Sequence, residues 1–426
     1  MLKIDIPSDV KTIADLLNGY LIGGSVRDAI MGKEPNDWDV ASPYTPEQMR
    51  KILAGHEYKI LPYGEKYGTL MIMLPSGEKV EVTTFRNETY TKEQGRHPNV
   101  NFITDIEGDL SRRDLTINAM AYEPREEKLI DPFGGQKDID SKTVRFVGDT
   151  VKRIDEDPLR LIRACRFSSK LGFDIDQKDK DIMARESGKI KSVAEERVFD
   201  ELKKGSDAFG AMFRCMSDTG LTKNVLGIDT DAMKDTIHDF RGSHHGESVF
   251  EHTIETTQCL DSMSKDNISL KLAGVYHDVG KPYTEEKKDG KIMFLRHEEK
   301  SKEICDDTLG KIKGVPRDIS DATCWMVGEH IRYPNLSAPN KIASNAVDWK
   351  MHNISSKEIA DLTKLVECDM SKNIDNLFEK TMVAYNTPKP SGQAFMHLPE
   401  NMRSQAIRST WIENATNAIK QMDKNV

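Results

Sequence analysis

The sequence predicts an α+β protein in which a small mixed-sheet head is followed by an all-α neck, body and further helical domain. Three observations predict it. The strand-like runs YLIG, DWDVAS and KVEVTTF all fall before Gly134-Gly135. Beyond that glycine pair, apolar residues recur almost entirely at helical spacing. Hydrophobic residues make up 37% and charged residues 31% of the 426 positions, which is material for two to four cores at about 100–200 residues per domain.

In chain order, DVKTIADLLNG reads as a helix, YLIG as a strand, and the glycine pair after it as a turn into a second helix through VRDAIMG. DWDVAS is the next strand and TPEQMRKILAG the next helix. In KVEVTTF the period of two sends Val80, Val82 and Thr84 to one face and Glu81, Thr83 and Phe85 to the other. Helical spacing then runs through KRIDEDPLRLIRACRFSSKLGF, with Pro158 where a first helical turn tolerates it. It continues through EERVFDELKKG, SVFEHTIETTQCLDSM, SLKLAGVYHDVG, HEEKSKEICDDTLGKI and SDATCWMVGEHI. The expected division is 1–140 for the head, 141–240 for a helical neck and body, 241–370 for a further helical domain, and 371–426 for a helical tail.

A net charge of -9 opposes phosphate binding by an evenly charged surface, but the charge is uneven. Between Lys142 and Lys170 eight Lys/Arg stand against four acids. No run approaches the ~18 apolar residues of a membrane span, and MLKIDIPSDV has no basic stretch followed by an apolar one. A cytoplasmic protein with no membrane partner is expected. The six cysteines contain no CxxC pair and are expected to be reduced. Composition leaves the oligomeric state open.

Asp37 and Asp39 flank Trp38, and on a strand residues two apart share a face. Two carboxylates so close repel unless a cation neutralises them, and hard oxygen ligands suit Mg²⁺. Glu81, on the polar face of its own strand, is a candidate third carboxylate. Gly23, Gly24 and Ser25 carry the turn just upstream, where a backbone without Cβ atoms lets amides approach a triphosphate. Arg27 follows within one helical turn and can meet a phosphate.

GGSVRD, a gap of eight residues, then DWD resembles the nucleotidyltransferase head of the class II tRNA CCA-adding enzymes and bacterial poly(A) polymerases, within the DNA polymerase beta superfamily. The resemblance implies that Asp37 and Asp39 hold the catalytic Mg²⁺. LSRRDLTINAMAY resembles the ribose-recognition motif, which implies Arg113 on the triphosphate or nucleotide, Asp114 on a ribose hydroxyl and Asn118 supporting the turn. EDPLRLIRACRF resembles the amino-acid template that selects the incoming base. Cytosine and adenine both present an amine donor beside a ring-nitrogen acceptor, a pattern that a carboxylate plus a guanidinium reads. Asp157 and Arg160, three apart on one helical face, supply that pair; Glu156 orients Arg160, and Arg163 and Arg166 continue the face toward phosphates. The implied partners are CTP, ATP and the 3′ acceptor end of tRNA.

The second half places His252, His277-Asp278, His297, His330 and Asp369 on successive helices, a set of imidazoles and carboxylates that suits a borderline divalent metal. The order resembles the HD phosphohydrolase domain, especially the version fused to bacterial CCA-adding enzymes. In that resemblance His252, His277, Asp278 and Asp369 match the four core positions of a second divalent transition-metal site, and the implied reaction is hydrolysis of phosphomonoesters and 2′,3′-cyclic phosphates at RNA ends. FLRHE departs from the small-residue pattern expected before His297.

Three functional readings remain at this level: a CCA-adding enzyme; a poly(A) polymerase or a CC-only or A-only enzyme; and a phosphohydrolase whose head only binds RNA. The paired acids oppose the last, because bare carboxylates repel phosphates. Seven Lys/Arg against five acids over 371–426 favour a shaped tRNA surface over a strongly basic grip. The polar stretch NETYTKEQGRHPNVN, with Arg96, reads as the head loop expected of full CCA addition.

Overall fold

The computed structural model describes residues 4–35, 37–61, 64–89, 99–238, 247–288 and 291–425. Arg96 and the middle of its loop, and the pair His244-His245, lie outside them. The chain forms two compact units: one runs to Val193 and takes in Asp218–Leu221, the other comprises Ala194–Ser217 and everything from Thr222 onward.

The first unit carries strands β1 (Tyr20–Ile22), β2 (Trp38–Ser42), β3 (Lys59–Leu61), β4 (Thr69–Met73), β5 (Lys79–Thr84), β6 (Arg86–Thr89), β7 (Asn99–Phe102), β8 (Ala121–Glu123) and β9 (Lys128–Ile130). Seven of them make one sheet in the order β3-β4-β5-β2-β1-β8-β9, and β6 pairs with β7 apart from it. The sheet is mixed, as the sequence predicts: β2 and β5 are parallel and the other neighbours antiparallel. Register puts Leu70, Val82, Val40, Leu21 and Tyr122 in one row across the sheet, all fully buried or nearly so. Helices Ser8–Leu16 and Pro46–Leu53 supply further apolar side chains, Val10, Ile13, Ala14, Met49 and Leu53, to the head core. Thr45 starts the second of these with a reciprocal cap to Gln48, ahead of Pro46 at the first helical position. A second apolar cluster joins Ile22, Ala41, Phe85 and Ala121 to Ile106 and Leu110 of helix Ile106–Ser111. The adjacent row, Met71, Glu81, Asp39, Ile22 and Ala121, carries two acids at its middle.

Past the sheet the described residues are almost all helical, with two-residue β10 (Thr143–Val144) and β11 (Asp174–Ile175) pairing in parallel. Asp157 is an exception to the expectation. The helix it was expected to share with Arg160 is two helices, Thr150–Glu156 and Leu159–Leu171, and Asp157 stands between them with extended backbone, φ -149 and ψ 100. Proline disfavours the helical region for the residue before it, and Pro158 does so here.

In the second unit the helices Val249–Met263, Ile268–Tyr276, His297–Asp307, Arg317–Glu329 and Ser356–Met370 pack as a bundle. A short hairpin, β12 (Glu285–Lys288) and β13 (Lys291–Phe294), interrupts them. The tail is structured: Trp411, Ala415 and Ile419 of helix Glu400–Asn425 are buried, and Arg408 forks onto Asp348 at 2.6 and 2.7 Å. The cysteines correct the expectation that all are reduced. Cys259 is bonded to Cys368 and Cys305 to Cys324, with Cα atoms 5.7 Å apart in each pair, while Cys165 and Cys215 are buried thiols. Partners 109 residues apart in sequence meet because their helices pack side by side, which spacing does not reveal.

Candidate functional site

In the head, β2 presents Asp39 directly opposite Glu81 of β5. Asp37 stands just before β2, exposed, and adds its charge to theirs. Burial pushes the Asp39 carboxyl up to about 6, Glu81 adds to the push, Arg113 opposes it, and Asp37 raises it further. Asp37, Asp39 and Glu81 are therefore close enough to repel one another, and a cation among them would relieve that repulsion.

The turn before them is built for close approach. Gly23 has φ +72, and a Cβ there would lie 3.0 Å from Arg113 Nη1 and 3.9 Å from Asp39 Oδ2. Glycine supplies both the left-handed backbone and the space. Gly24 opens helix Gly24–Ile30, and the Ser25 hydroxyl donates to the Ile22 carbonyl oxygen at 3.0 Å. Arg27 is buried and donates from Nη1 to Asn118 Oδ1 at 2.7 Å. Arg113 donates to the Asn118 carbonyl oxygen at 3.3 Å and pairs with Asp109 at 3.5 Å. Asn118 thus holds two predicted phosphate arginines, one through its side chain and one through its backbone.

Asp114 is bound to Arg163, accepting from Nε and from Nη2 at 2.7 Å each, and to the Leu115 amide at 2.9 Å. Burial opposes its ionisation, but Arg163 and that amide outweigh burial and hold it below the usual carboxylate range. Glu156 orients Arg160 as expected, 2.7 Å from Nη1, while the carbonyl oxygens of Arg153 and Arg112 accept from the same guanidinium at 2.9 and 2.8 Å. Asp157 accepts the Leu159 amide at 3.2 Å. Arg166, Arg27 and Arg163 lie 4.1, 5.3 and 5.5 Å from the Phe167 ring centroid. Sequence reasoning missed Phe167 as their shared platform, and missed the buried Asp109 that anchors Arg112 and Arg113.

In the second unit His252, His277, Asp278 and Asp369 offer ligand atoms within 4.8 Å of one another, as the sequence predicts. His252 Nε2 lies 2.9 Å from Asp369 Oδ1 and 3.6 Å from Asp278 Oδ2, and His277 Nε2 is 3.3 Å from the same Asp278 oxygen. The other oxygen of Asp278 faces His297 Nε2 at 3.2 Å and His330 Nε2 at 3.8 Å, which makes a second group around one carboxylate. Each of His277, His297 and His330 donates from Nδ1 to the carbonyl oxygen three residues back, of Gly274, Phe294 and Val327, at 2.7, 2.8 and 2.7 Å. That turns the Nε2 atoms toward the cluster, the usual support of a metal-ligating imidazole. Among the described residues Asp278 Oδ1, His297 Nε2 and His330 Nε2 are buried without hydrogen-bond partners, so the donor set fits a divalent ion. Arg296 reaches φ +58 just before His297 begins its helix. Burial works against the charge on His277, but Asp278 and Asp369 raise its imidazole to about 10. Sequence reasoning also missed His238, buried with Nδ1 3.2 Å from Lys281 Nζ and its ring 4.0 Å from that of His252. Only its position in the fold reveals it.

Family models match the two regions separately: the poly A polymerase head domain over residues 19–145 and the HD domain over residues 249–364. Both halves of the resemblance read from the motifs are borne out. The head match ends at residue 145, near the boundary expected at 140, and His252, His277, Asp278 and Asp369 fall in or just beyond the HD match. A CCA-adding enzyme of Bacillus licheniformis is 38% identical over 213 residues, 49% of this chain and 52% of its own length. One from Bacillus subtilis is 40% identical over 185 residues, 43% and 45%. The chain spans about half the length of the curated relatives it matches. The fold is similar to that of Bacillus stearothermophilus CCA-adding enzyme in complex with CTP, with a TM-score of 0.62 at 19% identity over 97% of each chain. It is also similar to a tRNA nucleotidyltransferase complexed with a primer tRNA and an incoming ATP analog, TM-score 0.55 at 19% identity, over 88% of this chain and 96% of that one. Among the described residues no helix is long and apolar enough to cross a membrane.

Proposed function

We propose that this chain adds C, C and A to tRNA 3′ ends from CTP and ATP without a nucleic-acid template. The observation that carries the reading is the facing pair Asp39 and Glu81, with Asp37 beside it and the Gly23 turn against Arg113. Asp37, Asp39 and Glu81 would hold Mg²⁺, which supplies charge neutralisation at the triphosphate and acidifies the attacking 3′-hydroxyl. Arg27 and Arg113, fixed by Asn118, seat phosphates. Arg160, locked by Glu156 and two carbonyl oxygens, presents a fixed guanidinium edge to the base. Asp157, released from the helix by Pro158, is the acceptor of the pair. Asp114 and Arg163 act as one unit at the ribose.

The domain proposal keeps 1–140 as catalytic head, 141–240 as the neck and body for nucleotide selection and RNA binding, 241–370 as the HD-type domain and 371–426 as the tail. The cytoplasm is the proposed compartment. For the HD domain we propose hydrolysis of phosphate esters at RNA 3′ ends. His252, His277, Asp278 and Asp369, joined by His297 and His330, would hold one or two divalent transition ions, which supply Lewis acidity toward the phosphoryl group.

The test is incubation with tRNA lacking its terminus, with CTP and ATP separately and together, read as product length on a gel. Two added residues with CTP and a third only when ATP is present support the reading. A long A tail, or a stop after CC, would replace it with poly(A) or CC-only addition.

A further inference from the structure

His238 precedes the HD match and belongs to none of the motifs, yet it is buried at 5% exposure beside the metal-type cluster. Its chain is held there by the antiparallel bridge of Ile237 to Ser248, just ahead of helix Val249–Met263. The Lys281 ammonium only donates hydrogen bonds, so at 3.2 Å the Nδ1 of His238 is the acceptor and the ring proton sits on Nε2. In His277, His297 and His330 it is Nδ1 that carries the donated proton, to carbonyl oxygens, so that Nε2 faces Asp278. The ring is therefore set as a partner of Lys281.

Lys281 is itself buried and donates to Asp278 Oδ2 as well. Among the described residues these two bonds occupy two of the three ammonium hydrogens and leave the third for a ligand, with the Phe294 ring centroid 5.6 Å from Nζ. Lys281 and His238 line a cavity of about 810 Å³ that also exposes His252, His297 and Asp369, with Phe294 and Pro334 among its apolar walls. An anion seated on the cluster would find that hydrogen beside it.

We propose that His238 is a positioning residue that, with Asp278, aims the Lys281 ammonium at the phosphoryl group of a phosphate ester held in the HD cavity. The proposal rests on the phosphohydrolase reading of the HD domain, and its test is separable from that reading. The probe is inorganic phosphate, titrated calorimetrically into the full chain loaded with Mn²⁺. His238→Phe keeps the ring against His252 but removes the acceptor, and should weaken phosphate binding about tenfold. His238→Asn places an amide oxygen near the lost nitrogen and should restore most of the affinity. Lys281→Met should weaken binding as well, and adding His238→Phe to it should cost nothing further, because the two act through one ammonium. Mn²⁺ stoichiometry and affinity should not change in the His238 variants. Unchanged phosphate affinity in His238→Phe overturns the proposal, as do additive losses in the double variant. A fall in Mn²⁺ affinity of about 100-fold also overturns it, by making His238 a ligand. Wild-type chain that holds Mn²⁺ without binding phosphate overturns it too. Wild type that binds phosphate, with the expected variant pattern, yet hydrolyses no 2′,3′-cyclic nucleotide leaves the His238 role standing and removes the phosphohydrolase reading.

Discussion

Asp39 and Glu81 are register partners across the parallel pair β2 and β5, two acids on one face with Asp37 close enough to add its charge. Like charges directly opposite each other destabilise a sheet. Asp39 titrates at about 6 in the folded chain against an ordinary 3.8, so the folded state binds its proton more tightly than the unfolded state does. Stability without metal then falls as pH rises from about 4 to 6, and the full cost remains above 6. Asp39→Asn should raise the melting temperature in EDTA at pH 7.5, by about 1–2 kcal/mol of stability, give no gain at pH 4, and abolish CMP and AMP incorporation. Equal melting temperatures at pH 7.5, or surviving incorporation, would remove the cation-site assignment.

Arg160 has no freedom to swing, since Glu156 and the carbonyl oxygens of Arg153 and Arg112 fix it from three sides. Glu156→Gln keeps the size and removes the charge-assisted bond. It should leave the yield with CTP and ATP within about tenfold of wild type and raise misincorporation of UTP and GTP by about tenfold. Arg160→Lys should blur selection further, because an ammonium lacks the planar fork. Discrimination ratios from single-nucleotide extension decide it. Unchanged ratios in both variants would show that base choice lies elsewhere.

The head was legible where one stretch of sequence is enough. The period of two in KVEVTTF puts Glu81 on the polar face, and the glycine turn ahead of DWD locates the acids. What the sequence does not carry is which strands become neighbours: β2 and β5 are joined by a crossover that takes in β3 and β4, so the Asp39–Glu81 pairing appears only in the folded sheet. Asp157 leaves the helix that the spacing predicts, because apolar periodicity continues through Pro158 while the proline disfavours helical backbone at its neighbour. Asp114 and Arg163 are 49 residues apart, and the Cys259–Cys368 pair 109. Such contacts depend on helix packing and leave no local signal. His238 is the same case with a single residue.

The HD cluster shares no residue with the acids of the head, so the two chemistries should separate by mutation. His277→Ala removes an imidazole whose Nε2 lies 3.3 Å from Asp278 and 3.5 Å from Asp369. Metal content of the full chain after dialysis against Mn²⁺, measured by atomic emission, should fall, and any hydrolysis of a 2′,3′-cyclic nucleotide should stop. Nucleotide addition to tRNA should stay within about threefold of wild type, the scatter expected of an independent site with no shared residues. Parallel loss of addition and hydrolysis would contradict separate centres.

Phe167 brings three guanidiniums to one ring, with Arg166 nearest at 4.1 Å. Each such contact is worth about 0.5–1 kcal/mol at a partly exposed site, and together they offset part of the repulsion among cations gathered in one place. Phe167→Leu keeps bulk and apolarity but removes the π face. If the ring serves to hold the arginines for the triphosphate, KM for CTP and ATP should rise about fivefold with kcat nearly constant, the pattern of lost uniform binding. Phe167→Tyr retains the face and should restore KM. A merely structural role would lower the melting temperature in Phe167→Leu and leave KM for the nucleotide where it was, so the two measurements, taken on the same preparation, decide between a platform and a core residue.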